Sequence, residues 1–337
     1  MPSVLWAAIV HGPDAEVMGG HLSAVTAQST QPSKVLVIDS GHCESIRRIA
    51  ETFGSICEYC FLDENLGFNA GLNRAVDEAV KLGYDWLATM TVRARPTHSW
   101  LSEALYAGER DDIGMVTTLH LGEAAKVDCF GHCLGTEGQL FSYGEGLKAQ
   151  DLKELPLVRR TGAPAIWSPC SGGAMYKTAV LNSARALTKN RDLVRPRGFK
   201  SYNCDVLGYL IRASGYLNSL SVGAICTRRQ AGSSSKTPDT PGLLMNQEIN
   251  RIANIFEFWP DARRRHAITE YLKDNRLKDG LRPVDLRIAR TLGEALARPD
   301  LNKTVGGRIQ IELDEHLDLF ADLKAKRKTL LTNSGVV

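Results

Sequence analysis

The stretch DENLGFNAGLNRAVDEAV, Asp63 to Val80, places two glycines and three asparagines at the entrance to a helical run. Glycine lets the backbone approach a ligand closely, and the free amides at the start of a helix can face an anion. The residues therefore favour a ligand-binding loop. A glycine-rich turn that only caps the helix explains the same letters, and both interpretations stay open at this point.

Apolar β-rich runs alternate with helical runs on both sides of this stretch. The predicted strands are LWAAIV (5–10), KVLVID (34–39), SICEYCFL (55–62), DWLATM (85–90) and IGMVTTLHL (113–121). Helical spacing of apolar residues predicts helices ending near Gln28, within 44–53, over Ala70–Leu82 and within 100–109. This alternation is typical of βαβ units and predicts a mostly parallel α/β sheet. Such sheets bind ligands where their strands end, and the loop Asp63–Asn73 leaves one of those edges.

Length and charge narrow the class of protein. A chain of 337 residues can form one sizeable α/β domain with an addition, and a net charge of +3 predicts no general attraction to nucleic acid or membrane. The N-terminus has no signal-peptide pattern and no apolar run is long enough to cross a bilayer, so we expect a cytoplasmic protein without a membrane span.

The composition changes near residue 232, where GSSSKTPDTPG (232–242) looks like a linker. We therefore predict a sheet domain over residues 1–240 and a helical C-terminal extension over residues 241–337. Its last helix would carry Leu313, Leu317, Phe320 and Leu323 on one face. The extension could form a homodimer, cover an acceptor site or brace the sheet.

Eight cysteines spread through the chain indicate reduced thiols rather than a disulfide framework. Cys57 with Cys60 and Cys129 with Cys133 suggest a four-thiolate zinc site. However, Cys57 and Cys60 fall in a predicted strand, where odd spacing sends side chains to opposite faces. We therefore expect these thiols to pack in the core, and no metal site is predicted.

Four stretches resemble the family 2 glycosyltransferases, in particular their rhamnosyltransferase-like branch, over Val4 to Ser235. They are Ala7–Gly41, with a first strand, a helix and a second strand ending in Asp; NLGFNAGLNRAV (65–76); DWLATMTVRARPTHSWL (85–101); and SPCSGGAMYKTAVL (168–181) with YNCDVLGYLIRASGY (202–216). The resemblance implies a GT-A type, Rossmann-like, mostly parallel sheet flanked by helices. It also implies an inverting enzyme that transfers a sugar from a nucleotide-diphosphate donor to an unidentified acceptor hydroxyl.

The resemblance also implies roles for matched residues. The donor would be held by Val10 and His11 after the first strand, by Asp39 after the second, and by a loop comprising Asn65, Gly67, Asn69, Gly71 and Asn73. Asp39 as a turn cap is the alternative. Asp205 would be the general base for the acceptor hydroxyl, with an N-cap as its alternative. Ser171, Gly172 and Gly173 would form the acceptor-side turn, although a plain turn needs no ligand.

The chain departs from this family where the fourth strand should end in metal-binding acids. Thr91, Val92 and Arg93 stand there, and these do not suit Mg²⁺ or Mn²⁺. We therefore expect metal-independent transfer with no required cofactor, in which Arg93 and Arg95 contact the diphosphate directly. Arg228 or Arg229 replaces a histidine typical of the family, and Cys204 replaces the acid before the predicted base.

Two alternatives remain open. The same departures fit a catalytically inactive module that binds a sugar nucleotide or a glycan. Basic clusters at Arg263–Arg265 and Lys324–Lys328 allow a nucleic-acid acceptor, although solvated helix faces explain them more simply.

Overall fold

The structure is a computed structural model that describes most of the chain. The described residues are 1–10, 14–41, 43–63, 67–155, 166–170, 172–189, 192–195, 203–228, 241–273, 283–298, 301, 313, 317 and 324–332, of which 203–204, 241–244, 272–273 and 283–284 are described as backbone only.

Eleven strands are found among these residues, and nine of them form one sheet. They are β1 Val4–Val10, β2 Lys34–Asp39, β3 Cys57–Phe61, β4 Trp86–Thr91, β5 Ala94–Pro96, β6 Ile113–Leu121, β7 Val127–Cys129, β8 His132–Leu134, β9 Leu140–Ser142, β10 Gly173–Lys177 and β11 Leu217–Arg228. The order across the sheet is β3-β2-β1-β4-β10-β6-β11-β5, with β7 on β6 and a separate β8–β9 pair. Strands β3, β2, β1 and β4 are mutually parallel, as are β6 and β11. The predicted mostly parallel α/β sheet is confirmed.

Nine α-helices have defined bounds, most of them packed against this sheet, and a further helical run covers the described residues 324–332. They are α1 Ala15–Thr26, α2 Glu44–Glu51, α3 Phe68–Lys81, α4 Trp100–Ala107, α5 Thr178–Leu187, α6 Asn203–Ala213, α7 Pro241–Phe258, α8 Asp261–Lys273 and α9 Pro283–Leu296. The five strands and four helices predicted above lie within about two residues of their predicted ends. Helix α3, for example, begins at Phe68 rather than at Ala70, with Gly67 at its N-cap position. No helix in the described part of the chain is long and apolar enough to span a membrane.

The sheet separates two apolar cores, and alternation along β1 supplies both. Leu5, Ala7 and Ile9 face one core, whereas Trp6 and Ala8 face the other. The same alternation places Cys60 against the first core and Cys57 against the second. These two thiols therefore pack apart on opposite faces, as predicted.

The C-terminal helices share the first core with the sheet domain. Phe258 at the end of α7 stacks on Tyr209 of α6 with ring centroids 4.5 Å apart, and the indole of Trp259 donates to the Tyr209 hydroxyl at 2.5 Å. Leu313 and Leu317 are buried in this core, while Phe320 and Leu323 lie outside the described residues. The extension thus braces the sheet domain. The predicted boundary at residue 240 falls outside the described residues and stays a prediction, as does the homodimer.

Gly71 decides how closely α3 approaches the sheet. A Cβ atom at this position would lie 2.6 Å from the Cγ2 atom of Ile9, which is buried near the end of β1. Real Cβ contacts do not become this short, so any larger residue would push the helix away. One of the two glycines in the opening motif, Gly71, is therefore required for packing.

We expect Gly71→Ala to destabilise the protein by about 1–3 kcal/mol, because a stiff β-branched side chain must move to admit the new methyl group. Gly19→Ala in α1 is the matched control. There a Cβ meets its nearest atom at 3.9 Å, and alanine in a helix should be neutral or stabilising by up to about 1 kcal/mol. Urea unfolding of both variants measures the difference, and equal stability of the two would contradict this packing account.

Candidate active site

Three of the predicted donor residues, Val10, Asp39 and Thr91, lie at the carboxyl edge of the sheet. In the strand register Val10 pairs with Asp39 and Ile9 pairs with Thr91, so the ends of β1, β2 and β4 meet there. The carbonyl of Val10 already accepts hydrogen bonds from the amide of Ser40 at 3.1 Å and from its hydroxyl at 3.0 Å. His11, Asn65, Ser171 and Arg229 lie outside the described residues, and their predicted roles stay predictions.

Asp39 caps the turn after β2. Its two carboxylate oxygens accept hydrogen bonds from the Gly41 amide at 2.7 Å, the Cys43 amide at 2.8 Å and the Tyr59 hydroxyl at 2.9 Å. The side chain is fully buried. This geometry matches the turn-cap alternative, and a contact with a nucleoside stays a prediction that would have to compete with three internal donors.

The asparagines of the opening motif hold a distant segment of the chain. The side-chain amide of Asn69 donates to the Arg195 carbonyl at 2.7 Å. That of Asn73 donates to the Val194 carbonyl at 2.8 Å and accepts from the Val194 amide at 3.2 Å. Gly67 caps α3 with φ +76°, a left-handed conformation that favours glycine. The predicted donor contacts of these residues stay untested, and those of Asn69 and Asn73 would require exchanging these bonds.

The two arginines after β4 have different surroundings. Arg93 forms an ion pair with Asp14 at 2.7 Å but keeps over a third of its side chain exposed. Arg95 turns back toward α1, donating to the carbonyls of Val17 at 2.6 Å and Val92 at 2.9 Å. Arg93 can therefore reach a ligand at the strand end, whereas the hydrogen bonds of Arg95 count against its predicted diphosphate contact.

The end of β4 does not fit a hard divalent cation. Thr91 offers one hydroxyl, Val92 is buried and apolar, and Arg93 is a cation. Asp14 brings a carboxylate to this end of the sheet, but Arg93 already binds it through two nitrogens. Mg²⁺ and Mn²⁺ need several oxygen ligands, which these residues do not provide.

A second exposed arginine lies on β11, the strand that pairs with β5. Arg228 ends β11, pairs with Ala94 of β5 and contacts Asp128 at 3.3 Å, with about half of its side chain exposed. Arg228 and Arg93 therefore approach the same short strand β5, one at its paired position and the other next to it in the chain.

Asp205, the predicted base, is enclosed at the start of α6 and is only 1% exposed. Burial raises the pKa of its carboxyl group to about 8, against the hydrogen bond from Ser168 and the charge of Arg195, which lower it. The Ser168 hydroxyl donates to Asp205 at 3.3 Å. A carboxylate with this pKa is a stronger base than an ordinary aspartate once it is ionised.

An ion-pair network links Arg195, whose charge acts on Asp205, to the C-terminal helices. The Arg195 guanidinium binds Glu257 of α7 at 2.6 Å and Asn254 at 2.5 Å, and Arg298 binds the same Glu257 at 3.1 Å. Asn254 also hydrogen-bonds Asp205, which lowers the pKa of this carboxyl group. Sequence reasoning missed this network because helical periodicity shows α7 but not which polar side chains meet a carboxylate on α6.

The acceptor-side glycines pack against β4 and His120. The Gly172 carbonyl accepts from the Thr91 amide at 3.1 Å, which ties the turn to the end of β4. A Cβ atom on Gly172 or Gly173 would lie 3.1 Å or 3.0 Å from the His120 ring. The turn therefore uses glycine for close packing, and it lies beside the strand end where a donor is expected.

Two cavities lie elsewhere in the described part of the chain. One is lined by Cys133, Tyr143 and Arg327, and the other by Asp85 and Trp86 with their neighbours at the opposite edge of the sheet. Neither contains a predicted donor or acceptor residue.

Comparison with known proteins identifies the fold. No protein-family model matches the chain, and no curated protein matches it. The solved mannosyltransferase PcManGT from Pyrobaculum calidifontis, in complex with GDP-Man and Mn²⁺, is 15% identical over 99% of this chain and 84% of that chain, with a TM-score of 0.49. GalNAc-T7 with UDP, GalNAc and Mn²⁺ is 10% identical over 95% of this chain and 58% of that chain, with a TM-score of 0.60. The second likeness shows that the chain has the GT-A glycosyltransferase fold.

We expect Asn73→Ala to destabilise the protein by about 1–3 kcal/mol, because it leaves the buried peptide groups of Val194 without their partners. Arg74→Ala, on the exposed side of the same helix, is the control and should change stability by less than about 0.5 kcal/mol. Thermal and denaturant unfolding measure both. Wild-type stability of Asn73→Ala combined with lost nucleotide-sugar binding would instead assign Asn73 to the donor.

Proposed function

We propose that the protein is a glycosyltransferase that moves a sugar from a nucleotide-diphosphate donor to an acceptor hydroxyl with inversion. A fold alone does not define an activity, so the proposal rests on the site. The observation that carries it is the enclosed Asp205, whose pKa is raised to about 8, beside the segment that leads into the glycine turn at the end of β4. The GT-A fold supports the same conclusion.

In this proposal Asp205 removes the proton from the acceptor hydroxyl. The resulting oxygen nucleophile attacks the anomeric carbon from the face opposite the diphosphate, and the bond to the leaving diphosphate oxygen breaks. Ser168 holds the carboxylate through its hydroxyl. The Gly172–Gly173 turn, bonded to Thr91, would line the space between the acceptor and the donor.

The leaving diphosphate needs a positive group, because negative charge builds there in the transition state. Arg93 and Arg228 are the exposed arginines around β5, and a guanidinium can bind two phosphate oxygens at once. The GalNAc-T7 structure contains Mn²⁺, whereas Thr91, Val92 and Arg93 do not suit that ion. We therefore propose that Arg93 and Arg228 bind the diphosphate directly and that no divalent metal is required at this strand end.

Two observations favour a second candidate function, a sugar-nucleotide or glycan-binding module without catalysis. Arg93 is already neutralised by Asp14, and Asp205 is closed off from solvent. Both facts fit a site that has kept its fold and lost its chemistry. Donor turnover distinguishes the two candidates.

We expect at least one common nucleotide sugar to raise the melting temperature of the protein and to release nucleoside diphosphate on incubation. Asp205→Asn should abolish this release while donor-induced stabilisation remains, since the base acts on the acceptor or on water and does not hold the donor. Stabilisation without any release from the wild-type protein would establish the binding module instead.

The rate of this release should rise about tenfold per pH unit below pH 8 and level off above it, because only ionised Asp205 can accept a proton.

The folding stability should change with pH in the opposite direction from the rate. A carboxyl group whose pKa is raised by folding lowers stability as the pH rises from about 4 to about 8, so Asp205→Asn should gain melting temperature relative to wild type toward alkaline pH. A pH-independent rate, or a variant that unfolds at every pH, would contradict this assignment.

We expect Arg93→Ala and Arg228→Ala each to lower kcat by about 100-fold, because each removes a positive donor from the leaving group. Arg110→Ala is the matched control, since its guanidinium pairs with Asp112 at the other edge of the sheet. Initial rates with Mn²⁺ titrated from zero should stay flat. Strict dependence on added Mn²⁺, or full activity in both variants, would contradict direct binding by arginine.

A further inference from the structure

A cluster of sulfur and nitrogen ligands lies behind the glycine turn, outside the donor and acceptor residues considered so far. The metal-binding atoms of Cys129, His132 and Cys170 all lie within 4.8 Å of one another. The Cys129 sulfur is 3.7 Å from Nε2 of His132. Cys129 is buried, and the other two residues are mostly enclosed.

The first two ligands come from a short turn that only glycine allows. Cys129 and His132 are separated by two residues, and Gly131 between them has φ +81°. A Cβ atom on Gly131 would lie 2.5 Å from Ile166 and 2.9 Å from the Ser168 carbonyl. The left-handed glycine therefore turns the chain so that a thiol and an imidazole face the same point, a spacing that is common in zinc-binding turns.

Backbone hydrogen bonds bring the third ligand to this turn. The His132 amide donates to the Ser168 carbonyl at 2.8 Å, and the Trp167 amide donates to the His132 carbonyl at 2.8 Å. The His132 ring also hydrogen-bonds the backbone of Pro169. Such a second partner fixes the orientation of a metal-binding imidazole. Cys170 follows directly, held by the bond from the Gly173 amide to its carbonyl at 3.1 Å.

His120 packs beside this cluster but is not one of the residues whose ligand atoms lie within 4.8 Å of one another. Its Nε2 is 3.2 Å from the Gly173 carbonyl, which ties the ring to the glycine turn. The ring also forms a side-chain hydrogen bond with Cys170.

The ligand chemistry selects the ion. Two thiolates with an imidazole suit zinc, whereas Mg²⁺ and Mn²⁺ prefer oxygen. In a tetrahedral zinc site with Zn–S of about 2.3 Å and Zn–N of about 2.0–2.1 Å, the sulfur and nitrogen atoms lie about 3.6 Å apart. The separation of 3.7 Å between Cys129 and His132 already fits this value.

We propose that Cys129, His132 and Cys170 bind one zinc ion that fastens the glycine turn to the β7–β8 connection. The ion has a structural role here. It holds the Gly172–Gly173 turn, which is bonded to Thr91, at the edge of the site. The site is separate from the metal position that the arginines replace at the end of β4.

The test measures zinc in the full-length protein, purified without a metal-affinity step, by mass spectrometry of the metal. Wild type should contain about one zinc per chain, and Cys129→Ser and Cys170→Ser should fall to background. Cys133→Ser is the matched control, because this thiol is also buried and lies next to His132 in the chain but outside the cluster. It should keep its zinc.

A second measurement covers variants that fold poorly. Cobalt added to metal-free, reduced wild-type protein should give the thiolate charge-transfer band of a tetrahedral site, which zinc then removes. Zinc should also raise the melting temperature of wild type and Cys133→Ser but not that of Cys170→Ser. Absence of zinc and of the cobalt band, equal zinc in all variants, or a Cys129–Cys170 disulfide in its place would overturn the proposal. None of these readouts uses a sugar nucleotide, so their failure leaves the proposed function standing.

Discussion

The site depends on hydrogen bonds from two asparagine side chains of α3 to a distant segment of backbone. Asn69 and Asn73 hold the backbone of Val194 and Arg195 through three hydrogen bonds of 2.7–3.2 Å. That segment in turn presents Arg195 to Glu257 and toward Asp205. An amide suits this position because it donates and accepts at once, which is what an unpaired stretch of backbone requires. Asparagines of the motif that resembles a donor-binding loop therefore hold a distant part of the chain's own backbone.

The C-terminal helices belong to the same electrostatic unit. Glu257 is fully buried between Arg195 and Arg298, and Asn254 reaches both Arg195 and Asp205. Desolvation of Asp205 outweighs these favourable contacts and keeps the pKa of its carboxyl group high. A base of this kind depends on a dry and well-ordered enclosure, and α7 supplies one wall of it. The extension is therefore part of the proposed chemistry as well as a brace for the sheet.

The sequence predicts the local features of this molecule and misses the distant ones. Continuous apolar runs locate β2 and β6, and helical spacing locates α3, because such patterns report burial along one element. The partners of Asn69 and Asn73 lie more than 120 residues away in the chain, and the Asp14–Arg93 pair spans 79 residues. No local pattern contains them. The Cys/His cluster was missed for a related reason: Cys170 comes from a separate segment, and thiol spacing directed attention to Cys57 with Cys60 and to Cys129 with Cys133 rather than to His132.

We propose that a nucleoside diphosphate binds at the carboxyl ends of β1 and β4 and is neutralised there by guanidinium groups. A crystal structure of the protein soaked with the nucleoside diphosphate of its stabilising donor would locate the diphosphate. Its oxygens should lie within hydrogen-bond distance of Arg93 or Arg228, next to Thr91 and the glycine turn. A diphosphate bound at another edge of the sheet, or one bridged to the protein by a cation on carboxylates, would contradict this proposal.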